Sequence, residues 1–264
     1  MSSRTRTTTT PSDVLLYIPN IIGYSRVLFT LCSFVIMLAV DNNTSSNSSS
    51  QSSSISSSSD SSSLWPFIAI SLYIASFVGD LFDGLIARKL NQTSEFGSLL
   101  DMITDRCSTM GLLFVLSSSK YYSNKDYEFR YPIYKLTFLS LTLLDISSHW
   151  CQMYSTSASN TNGNHHKSAE GNKGRHFLVR WFYQYYYFFG YLCVGAEFTY
   201  IISYMLAYLD DNGSDSKSID SHTIAIYVLY LCLPGCILKQ AVNIMQLCSA
   251  CYAVAYNDAT NKNK

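Results

Sequence analysis

Long apolar runs alternate with short polar stretches along this chain. Six windows of mostly apolar residues lie at roughly 21–40, 64–86, 97–116, 131–150, 181–209 and 224–248. About 20 such residues suffice to cross the hydrocarbon core of a bilayer as a helix, and the fifth window is long enough to tilt or to begin in the interface. The pattern predicts an all-α, polytopic integral membrane protein with six transmembrane helices. Tyrosines crowd the window ends, and the run "WFYQYYYFFGY" starting at Trp181 suits an interfacial belt, where a ring body and a polar tip are both satisfied.

The polar stretches divide the chain. Residues 1–13 read as a disordered N-terminal tail and 14–256 as a six-helix membrane catalytic domain. Within that domain, 41–63 is a Ser-rich lumenal loop and 151–180 a cytoplasmic loop with an Asn/Gly-rich insertion; 257–264 is a polar tail. The Ser-rich tract cannot bury enough apolar surface to offset its ordering entropy. Asn42, Asn43 and Asn47 each begin an N-x-Ser/Thr triplet there, which would accept glycan on a lumenal loop. Pro19, Asn20 and Arg26 interrupt the first apolar window, and no small-residue cleavage site follows, so that window reads as a signal anchor rather than a removable signal peptide.

Positive charge sets the expected orientation. Arg4 and Arg6, Arg88 and Lys89, the group Lys167, Lys173, Arg175 and Arg180, and Lys262 with Lys264 fall on one side of six spans. Lys120, Lys125, Arg130 and Lys217 fall on the other, and the Ser-rich loop has no Lys or Arg. Both termini are therefore expected in the cytoplasm. The composition agrees with a membrane protein: 48% hydrophobic, 14% charged and no net charge, low in charge for a soluble domain. No nucleic-acid polymer is expected as a partner. The eight cysteines lie almost wholly within or beside the apolar windows and form no disulfide framework. Cys248 and Cys251 make one C-x-x-C with no second pair and no histidine at zinc spacing.

Against this background "GDLFDGLIARKLNQTSEFGSLLDMITDR" (79–106) is unusual, because it sets four aspartates at the edge of two apolar windows. Asp80, Asp83, Gly84, Ala87 and Arg88 share one helical face; Gly97, Asp101 and Asp105, four apart, share another. The short connection "KLNQTSEF" makes the two helices an antiparallel pair whose acidic faces can meet. Four carboxylates at a membrane boundary repel one another and need compensation. Arg88 and Arg106 supply part of it, and an all-oxygen donor set favours hard cations, Mg²⁺ or Mn²⁺, over zinc. Two such ions can clamp a phosphate during displacement, so the pattern points to phosphoryl transfer. The small residues Gly84, Ala87 and Gly97 let a ligand or a helix approach the backbone. A cation transporter would also gather acidic residues, but near the bilayer midplane at broken helices.

These residues fit D-x2-D-G-x2-A-R-x8-G-x3-D-x3-D at every fixed position, and here the chain resembles the CDP-alcohol phosphatidyltransferase family. The resemblance implies a six-helix membrane fold, a two-metal site held by Asp80, Asp83, Asp101 and Asp105, a CDP-linked lipid donor, and Asp105 as general base. It also implies donor contacts at Gly84, Arg88 and Ser94, with Ala87 and Gly97 lining the site. "YIPNIIGYSR", "LLDMITDRC", "LDISSHW" and "LCVGAEFTY" look like the family's eukaryotic phosphatidylinositol synthases. That likeness implies CDP-diacylglycerol and myo-inositol as substrates, residence in the endoplasmic reticulum membrane with the site facing the cytoplasm, and a homodimer by analogy. A sibling enzyme using glycerol 3-phosphate or serine shares the aspartate motif. Asn20, Arg26, Asp145, His149 and Arg180 are further candidates for phosphate or acceptor contacts. Structural alternatives stand beside them: Arg26 snorkelling or pairing with an aspartate, Asp145 satisfying Lys135 or another buried group, and Glu197 pairing with Lys239.

Overall fold

A hydrocarbon phase offers no water to peptide groups, so a spanning segment must pair them along its own length, as a helix does. The computed structural model describes residues 10–47, 64–118, 131–161, 186–212 and 216–262, and among them there is no strand. The helices are α1 (Pro11–Leu15), α2 (Ile18–Asn47), α3 (Trp65–Lys89), α4 (Glu95–Ser118), α5 (Tyr131–Thr161), α6 (Tyr186–Asn212) and α7 (Ser216–Lys262). Among the described residues, four stretches are long and apolar enough to cross a membrane: Ile18–Asp41, Trp65–Lys89, Gly190–Leu209 and Asp220–Thr260. They coincide with four of the six expected windows. Helices α4 and α5 are as long but more polar, α4 holding Glu95, Asp101, Asp105 and Arg106.

Several helices run past the boundaries read from apolar windows. The tail expected to be disordered through residue 13 already contains the start of α1. There Pro11 takes the first position, and Thr10 and Asp13 cap each other's backbone N–H groups. The Thr10 backbone N–H, and then its hydroxyl, hold the Asp13 carboxyl below the usual range. Helix α2 continues to Asn47, into the Ser-rich tract; α5 continues to Thr161, into the expected 151–180 loop; α7 continues through Pro234 and on to Lys262, over the expected polar tail. Once a helix is nucleated, adding a residue fixes few dihedrals per hydrogen bond gained. An apolar window therefore marks where a helix can meet lipid, and the helix itself stops later. Residues 181–185, Arg180, and His165 with His166 lie outside the described residues.

The chain forms two compact units, Met1–Val115 and Leu116–Lys264. In the first, α2 packs on α3 around Met37, Ala69 and Tyr73. The rings of Phe34 and Tyr73 lie 6.0 Å apart, and Ser33 donates to the Ala69 carbonyl at 2.7 Å. Helix α3 ends in a Schellman turn: Gln92 N–H reaches the Ala87 carbonyl at 2.9 Å, Asn91 N–H reaches that of Arg88 at 3.4 Å, and Asn91 has φ 54°. Asparagine is among the few non-glycine residues that tolerate this left-handed backbone. The chain reverses there, and Ser94 opens α4 by accepting from the Gly97 N–H at 3.0 Å.

In the second unit, α6 and α7 approach closely through small residues, a Cβ on Gly195 falling 3.2 Å from the Cys232 carbonyl and 3.3 Å from Gly235. Helix α5 packs on α7, where Asn243 joins Asp145 (3.2 Å) and Lys239 (2.6 Å). Leu28, Leu31, Val35, Phe114, Leu231 and Ile237 are each more than half exposed, an apolar surface that suits lipid and would be a liability in water. All eight cysteines are free.

Candidate active site

The helical spacing of the aspartates does what it promised. Asp80 and Asp83 on α3 and Asp101 and Asp105 on α4 converge, and at their centre lies the guanidinium of Arg26 from α2. Its Nη1 contacts Asp83 Oδ2 at 2.7 Å and Asp101 Oδ1 at 2.9 Å; its Nη2 contacts Asp80 Oδ1 at 2.9 Å and Asp105 Oδ1 at 2.6 Å. Nε donates to the Ser76 carbonyl at 3.2 Å. Arg26 is 3% exposed, so these bonds replace its hydration. Of the two readings of this arginine, pairing holds, and with all four carboxylates rather than one.

Two small residues of α3 make room for that arrangement. Gly79 faces the arginine stem: a Cβ there would sit 2.9 Å from Arg26 Cγ. Ser76, besides receiving Nε on its carbonyl, donates its hydroxyl to the Arg26 carbonyl at 3.0 Å and lies 2.8 Å from Thr30 Oγ1. Neither residue stands out in the sequence, because nothing local says which α3 positions face Arg26. Only the glycine directly before Asp80 hints at crowding.

Beside the cluster is a cavity of about 220 Å³. Asn20, Gly84, Ala87, Arg88, Ser94 and Gly97 line it, and Asp83 and Asp101 join it to the aspartates. The expected donor-side residues thus share one wall. The Arg88 guanidinium lies over Gly84, 3.6 Å from where a Cβ would be. Among the described residues no carboxylate pairs with Arg88, in contrast to Arg26. Ser94 combines its place on the wall with the capping of α4. Gly97 allows Asn20 close, since a Cβ would meet Asn20 Oδ1 at 2.9 Å, while Asn20 Nδ2 donates to the Val14 carbonyl at 2.5 Å. Arg26 is not among the residues that line the cavity; its donors engage the four aspartates and the Ser76 carbonyl. Gln92, also on the wall, was not singled out in the sequence; its side chain accepts from the Ile18 N–H at 3.1 Å and ties the α3–α4 turn to the start of α2.

The donor set fits a hard cation. Asp80, Asp101 and Asp105 each offer one carboxylate oxygen within 4.8 Å of the others, and the all-oxygen chemistry matches magnesium-type ions. Asp83 is the most enclosed of the four, its side chain 11% exposed against 30% for Asp80, 46% for Asp101 and 32% for Asp105.

A model of the CDP-alcohol phosphatidyltransferase family matches residues 16–209. The chain belongs to the CDP-alcohol phosphatidyltransferase family. The match starts just before α2 and reaches through most of α6, so it covers the aspartate cluster and its cavity, and α7 lies beyond it. This family is metal-dependent, in keeping with the oxygen cluster, and the apolar helices make this phosphatidyltransferase a multi-pass membrane protein. Among curated relatives, the Arabidopsis thaliana probable CDP-diacylglycerol–inositol 3-phosphatidyltransferase 2 is 35% identical, covering 96% of this chain and 95% of its own. The Saccharomyces cerevisiae CDP-diacylglycerol–inositol 3-phosphatidyltransferase is 31% identical over 100% and 97%, and that of Rattus norvegicus 29% over 96% and 97%. No solved structure matches.

The acceptor-side candidates of this phosphatidyltransferase belong to the second unit. Asp145 is 7% exposed and accepts from Asn243 Nδ2 at 3.2 Å. His149 lies one turn on, its Nδ1 2.9 Å from the Asp145 carbonyl and 3.7 Å from its carboxylate. The expected link of Asp145 to a buried group is thus met by Asn243, ninety-eight residues away in sequence. Lys239 donates to Asn243. Arg180 lies outside the described residues.

Proposed function

We propose that this chain transfers the phosphatidyl group of CDP-diacylglycerol to myo-inositol, giving phosphatidylinositol and CMP, and that the transfer takes place at the aspartate cluster and its cavity. One observation carries the reading: four carboxylates from two helices meet at one point, against a cavity whose wall holds Gly84, Arg88 and Ser94. The choice of inositol rests on the relatives, since the donor side of such a site would serve any alcohol.

Asp80, Asp83, Asp101 and Asp105 are assigned to hold two divalent cations, Mg²⁺ or Mn²⁺. When bound, such ions neutralise charge developing on the transferred phosphate. Arg88, which has no carboxylate partner among the described residues and faces the cavity, holds a donor phosphate by charge-assisted hydrogen bonds. Gly84, Ala87 and Gly97 keep the wall low, so a nucleotide can lie close to the backbone. Asp105 accepts the proton from an inositol hydroxyl. The hydroxyl oxygen bonds to the phosphorus that carries diacylglycerol, the bond from that phosphorus to the CMP oxygen breaks, and CMP departs with the electron pair. Asp105 then returns its proton to water. On the acceptor side, the enclosure of Asp145 and its bond to Asn243 favour a structural role, leaving His149 and Arg180 as groups to meet the polyol.

The same reading places the catalytic domain over 14–256 with six spans. Both termini and the aspartate cluster face the cytoplasm of an endoplasmic reticulum membrane, and two copies associate. The distribution of Lys and Arg supports this orientation. A transporter reading is not favoured, because the cluster adjoins a cavity lined by Arg88. The deciding experiment gives purified protein in nanodiscs CDP-diacylglycerol with inositol, glycerol 3-phosphate or serine. Labelled lipid should form with inositol; equal or greater transfer to serine or glycerol 3-phosphate would overturn the acceptor assignment and favour a sibling enzyme.

A further inference from the structure

A guanidinium has five N–H donors and no acceptor, and Arg26 uses all five: two on Asp83 and Asp101, two on Asp80 and Asp105, one on the Ser76 carbonyl. Its stem lies in a slot that Gly79 leaves open, and Ser76 secures its backbone. The arrangement gives one positive charge to four carboxylates and draws together oxygens from two helices that would otherwise repel. We propose that Arg26 is a built-in rival of the divalent cations: a positioning residue that keeps the four-carboxylate cradle assembled and gives up its hold as the cations bind. The inference rests on reading the cluster as a metal site.

The physical case is competition for the same carboxylates. Arg26 sits on one oxygen from each of Asp80, Asp83, Asp101 and Asp105, three of which are the residues able to converge on an ion. A magnesium-type cation needs carboxylate oxygens at about 2.0–2.1 Å, and a guanidinium held on the same carboxylates repels it. Binding of either therefore weakens the other, by equal factors. Arg26 has no N–H left for a phosphate while it bridges the aspartates, and it is off the cavity wall. Its donors become available only if cations displace it, so the arginine makes the cradle rigid in one state and free to offer hydrogen bonds in the other.

Mn²⁺ binding, read by electron paramagnetic resonance on the full chain in nanodiscs without donor lipid, tests this apart from turnover. Arg26→Gln should bind Mn²⁺ about tenfold or more tightly than wild type. Its cation-free form should unfold at a lower temperature, and Mn²⁺ should raise that temperature more than it does for wild type. Mn²⁺ affinity equal to or weaker than wild type would overturn the proposal, since a purely structural arginine would loosen the site when removed. Arg26→Lys covers the case in which Arg26→Gln does not fold: a compact ammonium cannot span four carboxylates, so Mn²⁺ should still bind more tightly than in wild type, and affinity at or below wild type overturns the idea. Absence of Mn²⁺ binding in wild type and both variants would remove the metal reading itself, and this inference with it.

Discussion

Gly79→Ala is the most incisive small change this architecture offers. A Cβ at Gly79 falls 2.9 Å from Arg26 Cγ and 3.3 Å from Cδ, where ordinary contact begins at 3.4 Å, so the stem must retreat by about half an ångström. The far end of the arginine cannot absorb that freely, because five hydrogen bonds of 2.6–3.2 Å pin it to α3 and α4. Overpacking of this kind costs about 1–3 kcal/mol, while replacing a helical glycine by alanine returns about 0.5–1 kcal/mol. The net loss is about 0–2.5 kcal/mol of stability. Passed on to the carboxylates that Arg26 bridges, a displacement of about half an ångström should lower turnover by about tenfold, given that about 1 Å can cost about a hundredfold. Initial rates of labelled inositol incorporation and thermal unfolding in detergent measure both, with Gly190→Ala as the control. Among the described residues nothing lies within 4 Å of a Cβ at Gly190, so that variant should gain up to about 1 kcal/mol and keep its activity. If Gly79→Ala matched Gly190→Ala in rate and melting temperature, the placement of Arg26 against α3 would be wrong.

Other outcomes follow from the same geometry. Asp105→Asn should lower turnover by about 10²–10⁴ with membrane insertion unchanged by carbonate extraction; retention of most activity would remove its role as base. Chelation of divalent metal should stop the reaction, and Mg²⁺ or Mn²⁺ alone should restore it, whereas chelator-insensitive turnover would contradict the metal assignment. Arg88→Ala should raise KM for CDP-diacylglycerol by about ten- to a hundredfold, the loss of a charged hydrogen bond, with KM for inositol unchanged; equal effects on both would place Arg88 elsewhere. Asn243→Ala removes a hydrogen-bond partner of buried Asp145 and Lys239 and should lower stability by about 1–3 kcal/mol, seen as an earlier melting transition.

What the sequence determined was set by local geometry. Helical periodicity alone put Asp80 with Asp83 and Asp101 with Asp105 on single faces, and the short connection between the helices allowed those faces to meet. The apolar windows marked where helices meet lipid, but missed that α2, α5 and α7 continue into polar sequence, since a helix ends by its caps and not by its hydropathy. Tertiary structure alone decided what stands at the centre of the aspartates. Arg26 is fifty-four residues before Asp80, and its choice between lipid surface and carboxylates depends on how α2 is rotated against α3, which side-chain packing fixes and no spacing rule encodes. Gly79 and Ser76 became informative only through that packing, as did Asn243, which meets Asp145 from across ninety-eight residues. Contacts within a helix follow from 3.6 residues per turn, whereas contacts between helices depend on rotation and register, and those are properties of the packed interface.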